Sequence, residues 1–458
     1  MALALVYLLA IWRVYELFVS PTYSYVYYTY AAPTSVQIVT ASILGLVCVA
    51  VLPIDVRRPS QVVIWMLFLL VVGPCLVILP LMRPSLSISA DRILGLEVAL
   101  VGCFALLNLI SLVPVPRLPL LSLPRQTVWT GILLFFLLLY LLLFSQTGIR
   151  LQVSDLGQVY ATRALFTSTV TGVAGYAAEW LTGLINPMLM AYGLARRRYR
   201  WLALGIVGEL VMYLLAAYKL ALFVFPLVAW IFWLLRDKRR HRFGANLLVG
   251  AIGIILTVTV IDSGFNSKLL TGLVTRRVFM DDSVLTGLYF DFFSRYPQDQ
   301  LAHSVLQGIT YSPYKVAPAY LIGNAYFPGT GQDANANIWA DAFANFGIPG
   351  MIMLTLVLAC VLLLFDGAAR FKDLRFTGTM LALPSVALAN SGVLTTIASH
   401  GLGLAVILAL LLPRDDPGGA PAATPSNDTR GKRPYSRLRR EMTRTPYSHR
   451  TGGGATRE

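Results

Sequence analysis

The chain is a series of long apolar runs separated by short polar segments. Each run approaches the ~20 apolar residues that a helix needs to cross a membrane, and only helices suit apolar runs this continuous. The pattern predicts an all-α polytopic membrane protein of about twelve transmembrane helices within residues 1–413. The predicted spans are 2–19, 36–54, 61–80, 93–112, 128–147, 168–190, 202–217, 220–235, 243–262, 347–366, 377–397 and 400–413.

Two polar segments interrupt this pattern. Residues 263–346 form a long loop that is dense in Tyr, Phe, Asp and Asn. Loops of this length without a function are uncommon, and we expect short helices lying on the membrane surface with a cavity beneath them. Residues 414–458 are rich in Pro, Gly, Ser, Thr and Arg without apolar periodicity, which predicts a disordered, basic cytoplasmic tail.

Composition and charge place the protein in a membrane and orient it. The 458 residues are 57% hydrophobic and only 13% charged, against about 25% charged in soluble proteins. The net charge of +15 does not indicate nucleic acid, because the basic clusters fall on alternate connections between spans. By the positive-inside rule, both termini are cytoplasmic and the long loop lies on the outer side. The four cysteines lie in apolar runs without metal-ligand spacing and are predicted to be inert.

Amides and carboxylates alternate with aromatic residues in the segment 333–350, DANANIWADAFANFGIPG. Planar polar groups bind sugar hydroxyls and ring faces pack on sugar C–H surfaces, so the segment predicts glycan handling at a membrane surface. Asp333 and Asp341 are the candidate general bases. The candidate sugar-binding residues are Asn335, Asn337, Trp339 and Asn345.

The spacing within this segment allows two interpretations. If it is helical, Asn337, Asp341 and Asn345 recur at every fourth position and share one face. Alternatively, these polar groups cap helix ends and satisfy one another.

Two adjacent arginines, Arg276 and Arg277, precede the aromatic block YFDFF at 289–293. Guanidinium groups form bidentate, charge-assisted bonds with phosphate, so we expect a pyrophosphate clamp above a lipid-facing aromatic floor. The substrate-binding candidates in the block are Tyr289, Asp291 and Phe293. The alternative is an interfacial helix with snorkelling arginines.

Further polar residues stand near the predicted outer boundary. Lys219 is either a second phosphate contact or part of a turn whose amine reaches water. His400, between the last two spans, is either an acid, base or phosphate contact or a turn histidine without a task. Glu179 lies within a predicted span, where an ionisable residue either serves function or ties helices together. Arg163 and His303 are outer-side polar residues without a clear pattern.

Several familiar site signatures are absent from the sequence. It contains no nucleotide-binding glycine loop, no zinc pattern, no hydrolase nucleophile elbow and no recognised pair of metal carboxylates. We therefore expect neither a metal nor a cofactor, and no soluble nucleotide-sugar donor.

Taken together, three segments resemble the oligosaccharide repeat-unit polymerases of bacterial surface polysaccharides, the Wzy-type O-antigen polymerase family. They are the small-residue-plus-lysine helix start at 216–223, the Arg-Arg segment leading into Tyr-Phe-Asp-Phe-Phe at 276–293, and the Asn/Asp-rich stretch at 333–350. The resemblance in motif covers about residues 220–350. Tyr218 departs from it, since the family norm before the lysine is Gly or Ser.

The resemblance implies a C-type glycosyltransferase of the bacterial cytoplasmic (inner) membrane that uses polyprenyl-diphosphate-linked glycans. Such enzymes transfer a growing glycan onto the next lipid-linked repeat unit at the outer leaflet. Arg276, Arg277 and Lys219 would then stabilise the leaving diphosphate without a metal. Asp333 or Asp341, or else His400, would orient or deprotonate the acceptor hydroxyl. A chain-length regulator and a flippase of the same pathway are the expected partners.

Three other functions remain open at this point. An O-antigen ligase shares a similar architecture but transfers finished polymer, and it is expected to rely on outer-loop arginine and histidine. A lipid-linked oligosaccharide flippase or other transporter should carry charge along a central path through many helices. A structural scaffold of a polysaccharide assembly complex is the fourth reading.

Overall fold

Among the residues that the structure describes, eight helices are long and apolar enough to cross a membrane. The computed structural model describes residues 1–119, 123–149, 151–152, 159–304 and 306–415, and in these residues it contains helices but no β-strand. The eight helices are Ala2–Val26, Ser60–Leu81, Ala90–Leu112, Arg125–Thr147, Tyr199–Ala216, Arg240–Gly264, Ile338–Ala369 and Val393–Leu411. This is the architecture of a helical membrane protein.

The other predicted spans also coincide with helices. Three of them are shorter apolar helices, Ser35–Val51, Leu220–Leu234 and Leu374–Ala389. The span predicted at 168–190 corresponds to Val173–Trp180, which continues through the π-helical turn Leu181–Ile185 into Asn186–Arg196. The number of twelve crossings stays a prediction, because eight of these helices meet the length and hydropathy of a span in the described residues.

The helix Ser60–Leu81 lies at the centre of the bundle, with 94% of its most apolar stretch buried inside the protein. Its first turn is tied to the Ile338–Ala369 helix by Asp366, which accepts hydrogen bonds from the backbone amide of Ser60 at 3.0 Å and from its hydroxyl at 2.6 Å. Because both groups are buried, each satisfies the other away from water. The pair fixes the register between these two helices.

The long loop begins and ends differently from the prediction. The polar connection runs over residues 265–337 rather than 263–346, because the Arg240–Gly264 helix extends to Gly264 and the next helix starts at Ile338. Its helical pieces are Thr271–Arg276, Arg277–Phe279, Asp281–Phe293 and Pro318–Tyr326. We call the end of the bundle that carries this connection the loop end.

The Asp281–Phe293 helix is buried in the bundle instead of lying on a membrane surface. Asp281 accepts a hydrogen bond from the Tyr28 hydroxyl, and Asp291 accepts one from the backbone amide of Ser87 at 2.7 Å. Gly287 packs closely against Met82 of the neighbouring segment. The prediction of a lipid-facing aromatic floor is therefore wrong, since packing and hydrogen bonds to the bundle cover this helix on most sides.

The predicted cytoplasmic tail falls almost entirely on residues 416–458, which lie outside the described residues. Residues Met1–Asp415 form one compact unit. Three of the four cysteines, Cys48, Cys75 and Cys103, are buried, and Cys360 is exposed.

Candidate functional site

The Ile338–Ala369 helix starts at the loop end because Asn337 caps it. The Asn337 side-chain oxygen accepts hydrogen bonds from the backbone amides of Trp339 at 3.0 Å and Ala340 at 3.2 Å. Its amide donates to the Thr286 hydroxyl at 2.6 Å, so the cap also joins this helix to Asp281–Phe293. Asn337 is completely buried, and its side-chain oxygen and side-chain amide both form hydrogen bonds with other groups of the protein.

This helix is broken after two turns, at Phe346 and Gly347, where the φ of Gly347 is +64°. Asn345 closes the short 338–345 portion. Its side-chain oxygen accepts a hydrogen bond from the Leu301 amide at 2.7 Å, and its own amide donates to the Asp341 carbonyl at 2.8 Å. For Asn337 and Asn345, the structure favours the reading in which the amides cap helix ends.

Asp341 is different from its buried neighbours. Its side chain is half-buried, and no described residue donates a hydrogen bond to its carboxylate. The carboxylate rests on Gly392 so closely that a Cβ added at Gly392 would clash with Asp341 Oδ2. A partly desolvated carboxylate with open lone pairs is suited to accept a proton or to bind a hydroxyl.

Asp333 and Asp341 both lie within electrostatic reach of Tyr289, whose hydroxyl donates a hydrogen bond to the Ala334 carbonyl. Burial, followed by the negative charges of Asp341 and Asp333, raises the pKa of the Tyr289 hydroxyl. The Asp333 side chain is exposed, and its carboxylate accepts a hydrogen bond from the Asn335 side-chain amide at 2.9 Å. Partial burial of the carboxyl group raises the pKa of Asp333. The hydrogen bond from Asn335 and the positive charge of Arg163 lower this pKa, but by less than burial raises it. The two candidate bases and Arg163 therefore share one region of the loop end.

The aromatic candidates lie inside the protein. Tyr289 is 2% exposed and donates a hydrogen bond to the Ala334 carbonyl at 3.0 Å. Trp339 is 1% exposed, and its indole donates to the Thr355 hydroxyl at 3.0 Å. Phe293 packs against the Tyr289 ring at a centroid distance of 6.1 Å. All three contacts are internal to the protein, so these buried rings do not offer their faces to a sugar.

Asp291 has a complete set of internal partners. Its carboxylate accepts hydrogen bonds from Arg295 and from the Tyr326 hydroxyl, each at 2.6 Å, in addition to the Ser87 amide. The side chain of Asp291 is only 1% exposed. A buried carboxylate paired in this way ties three segments of the chain together.

The three predicted phosphate-binding cations have different environments. Arg276 pairs with Asp281 at 3.1 Å, and its guanidinium lies over the rings of Tyr23 and Tyr28. Arg277 is exposed, and Lys219 is half-buried at the start of the Leu220–Leu234 helix. All three stand at the loop end, and the charge of Arg276 is met by the carboxylate of Asp281.

His400 belongs to a second polar group. Its Nδ1 lies 3.1 Å from Glu179 Oε2, and the Tyr218 hydroxyl donates to Glu179 Oε1 at 3.4 Å. Arg163 lies over the Tyr218 ring with its guanidinium carbon 5.2 Å from the centroid. Because the Arg163 charge also acts on Asp333, this group adjoins the carboxylates described above.

A third polar group includes His303. Its Nδ1 lies 2.8 Å from Asp299 Oδ1, and the Ser312 hydroxyl donates to the same oxygen at 2.5 Å. The backbone amide of Asp299 donates to the Ala344 carbonyl at 2.9 Å. The pair thus lies at the end of the 338–345 helical portion, and the charge of Asp299 acts on Asp341.

Sequence reasoning missed Gly392, which lets the Asp341 carboxylate approach the backbone. No local signal marks this glycine, because the close approach joins residues some fifty positions apart. Arg163 stood out only as a cation on the outer side, and its role as a link between two polar groups depends on the fold.

No protein-family model matches the chain, no curated protein matches it, and no solved structure matches it.

Proposed function

We propose that the protein polymerises polyprenyl-diphosphate-linked oligosaccharide repeat units by metal-independent glycosyl transfer. The reaction takes place at the loop end, which faces the outer leaflet of the bacterial cytoplasmic membrane, with both termini in the cytoplasm. The observation that carries the proposal is the Asp341 carboxylate, half-buried on Gly392 and without a described hydrogen-bond donor. Such a group sits ready for an incoming hydroxyl at the end of an apolar bundle, where lipid-linked substrates arrive from the side.

The proposed chemistry follows from the positions of the charged residues. The oxygen of the acceptor hydroxyl attacks the anomeric carbon of the donor glycan, while Asp341 accepts the proton of that hydroxyl. The bond from that carbon to the diphosphate oxygen breaks, and the electron pair leaves with the polyprenyl diphosphate. Arg277, with Lys219, stabilises the charge that develops on this leaving group. Asp341 is the base in preference to Asp333, because Asp333 already accepts a hydrogen bond from Asn335.

A test uses the purified chain in lipid nanodiscs, supplied with lipid-linked repeat units and a metal chelator. The wild type is expected to produce a ladder of polymer. Asp341→Asn keeps the shape of the side chain but removes the base, and it should lower the rate by about 10²–10⁴-fold. Asp237→Asn changes an exposed carboxylate outside the site and should leave the ladder intact. A wild type that makes no polymer, or an Asp341→Asn variant of normal rate, contradicts the proposal.

A second candidate is a ligase-like transferase, favoured by the pairing of His303 with Asp299 beside the 338–345 helical portion. In that case finished polymer, rather than single repeat units, is transferred to a different acceptor. Offering lipid-linked polymer together with a lipid A–core acceptor separates the two functions, because only a ligase consumes both.

A further inference from the structure

An open cavity of about 280 Å³ lies at the loop end, next to the polar group of Glu179, Tyr218 and His400. Its walls come from four parts of the chain: the Val159–Thr169 helix, the Val173–Trp180 helix with the glycines before and within it, the turn that holds Tyr218, and Ser399 after the Val393–Ala398 helix. The lining residues are Phe166, Thr167, Val170, Gly172, Gly175, Tyr176, Ala178, Glu179, Tyr218 and Ser399.

Glu179 is a charged residue in the lining of this cavity, and contacts with two neighbouring side chains orient its carboxylate. His400 holds Oε2 at 3.1 Å and the Tyr218 hydroxyl holds Oε1 at 3.4 Å. The Glu179 side chain is 35% exposed, so both oxygens keep lone pairs for a further donor. A carboxylate clamped at both oxygens and open to a cavity is suited to accept hydrogen bonds from neighbouring hydroxyls.

The remaining lining matches a ring with an apolar face. Tyr176 is 41% exposed, and Phe166 packs edge-on against Tyr218 at a centroid distance of 5.8 Å. Thr167 and Ser399 add hydroxyl groups to this wall. Aromatic surfaces combined with a carboxylate and hydroxyls suit a neutral sugar ring, with its C–H face on the aromatics and its hydroxyls on the polar groups.

The charge balance excludes a strongly anionic ligand. Among the described residues, Glu179 is the one acid that lines the cavity, and Arg163, which lies over the Tyr218 ring, is not among the lining residues. A phosphate would therefore meet a carboxylate without a lining cation, which is unfavourable.

We propose that this cavity is a binding subsite for one neutral sugar ring of the glycan, held by Glu179 and the Tyr176 and Tyr218 rings. The inference rests on the proposed function for the identity of the glycan as substrate. Since Arg163 lies over the Tyr218 ring and its charge reaches Asp333, we expect a ring in this cavity to direct the adjoining sugar towards the carboxylates. The subsite would thus select the sugar that stands next to the bond being formed.

Gly175 lines the cavity, so a larger side chain at this position is expected to fill it. A Cβ added there meets no atom within 4 Å, so Gly175→Leu fills the space without a clash. Gly131→Leu is the matched control, because Gly131 is also a helical glycine with nothing within 4 Å and lies on the exposed face of another helix. Glu179→Gln removes the charge and keeps the size of the side chain.

The experiment is saturation-transfer NMR on the nanodisc-embedded chain, with free glucose, galactose, mannose and N-acetylhexosamines as neutral probes and methyl phosphate, whose methyl protons can be observed, as the anionic phosphate probe. We expect at least one neutral sugar to bind the wild type and Gly131→Leu, and to lose binding in Gly175→Leu. Glu179→Gln should weaken it by about tenfold. Equal signals in both leucine variants, binding of phosphate at this cavity, or no signal from any neutral sugar would each overturn the inference.

The outcome is separate from that of the proposed function, because free sugar binding needs neither a lipid-linked donor nor transfer. If Gly175→Leu forms polymer normally, the subsite inference is contradicted and the polymerase proposal is not affected. Sugar binding by a chain that makes no polymer would do the reverse.

Discussion

Arg276 and Arg277 are adjacent in the sequence and have opposite surroundings in the structure. The Arg276 side chain is only 16% exposed and pairs with Asp281 under the rings of Tyr23 and Tyr28. Arg277 is exposed. Within the Arg-Arg motif, Arg276 therefore holds the loop connection to the N-terminal helix, whereas Arg277 lies at the protein surface.

The two arginines should respond differently to substitution. Arg277→Ala is expected to abolish polymer while the stability changes by less than about 0.5 kcal/mol, as is usual for exposed positions. Arg276→Ala should lower the stability by about 1.5–3 kcal/mol, because Asp281 loses a charged hydrogen-bond partner. Polymer gels, protein blots and thermal unfolding in detergent measure these effects. Wild-type polymer from Arg277→Ala would remove the pyrophosphate assignment, and unchanged stability of Arg276→Ala would remove the structural role.

The lowered pKa of Lys372 is expected to make the free energy of unfolding depend on pH. Burial, with the nearby Arg414 charge, lowers the pKa of Lys372 to about 8, while its amine donates to the Ala368 carbonyl at 2.7 Å. Because the unfolded chain holds this proton more tightly than the folded one, stability should rise as the pH increases from about 8 to the unfolded value of about 10.4. Lys372→Met should lack that part of the rise.

The measurement is the difference in melting temperature between wild type and Lys372→Met at several pH values. Lys372→Met is expected to be the more stable variant below pH 8, by a few degrees, and the gap should close towards pH 10.5. A gap that stays constant with pH would show that the burial of the charge is not what sets it.

At this scale, polar composition does not distinguish side chains that are open to a ligand from those that already have partners within the protein. The segment 333–350 does carry the half-buried Asp341, as its polar composition indicated. Asn337, Trp339 and Asn345 looked equally suited to sugar but have internal partners. Composition cannot separate the two cases, because the same hydrogen-bonding groups serve a ligand or a helix cap, and the partners come from distant parts of the chain.

At the scale of the elements, the position of Asp341 depends on how the Ile338–Ala369 helix meets the helix Val393–Ala398. Hydropathy located most helices, since apolar runs are continuous in a membrane bundle. It placed the start of this helix at 347, where Gly347 and Pro349 suggest a boundary. The true start is nine residues earlier, because the Asn337 cap and the contacts of Asn345 stabilise an extra helical portion that has no long apolar run.

Gly392 tests this arrangement of helices. Gly392→Ala should displace only the carboxylate of Asp341, because the far end of that flexible side chain is what the new methyl group would meet. We expect polymer formation to fall by about tenfold or more, since the reacting groups lose their alignment, while the protein level stays normal. Gly102→Ala, at a helical glycine with nothing within 4 Å, is the control. Full activity of Gly392→Ala would show that the Asp341 position does not matter.

At the scale of the whole molecule, the polar groups described above lie at one end of the bundle or the other, while Glu97 and Glu209 are single acids buried within the helices Ala90–Leu112 and Tyr199–Ala216. Asp341, Asp333 and Glu179 lie at the loop end, whereas Arg125, Arg196 and Lys372 surround a small cavity at the opposite end. Between them, the central Ser60–Leu81 helix is apolar and buried along its length. This distribution favours chemistry at one membrane face over a charged path through the bundle.

The most direct test of the polymerase proposal is mass spectrometry of polyprenyl-linked glycans from a strain lacking this protein, with the leaflet of each glycan determined. The account predicts single repeat units stranded on the outer leaflet, and polymer restored by the wild-type chain but not by Asp341→Asn. Full-length polymer on the lipid would instead indicate a ligase. Single units confined to the inner leaflet would indicate a flippase, and either result would contradict the account.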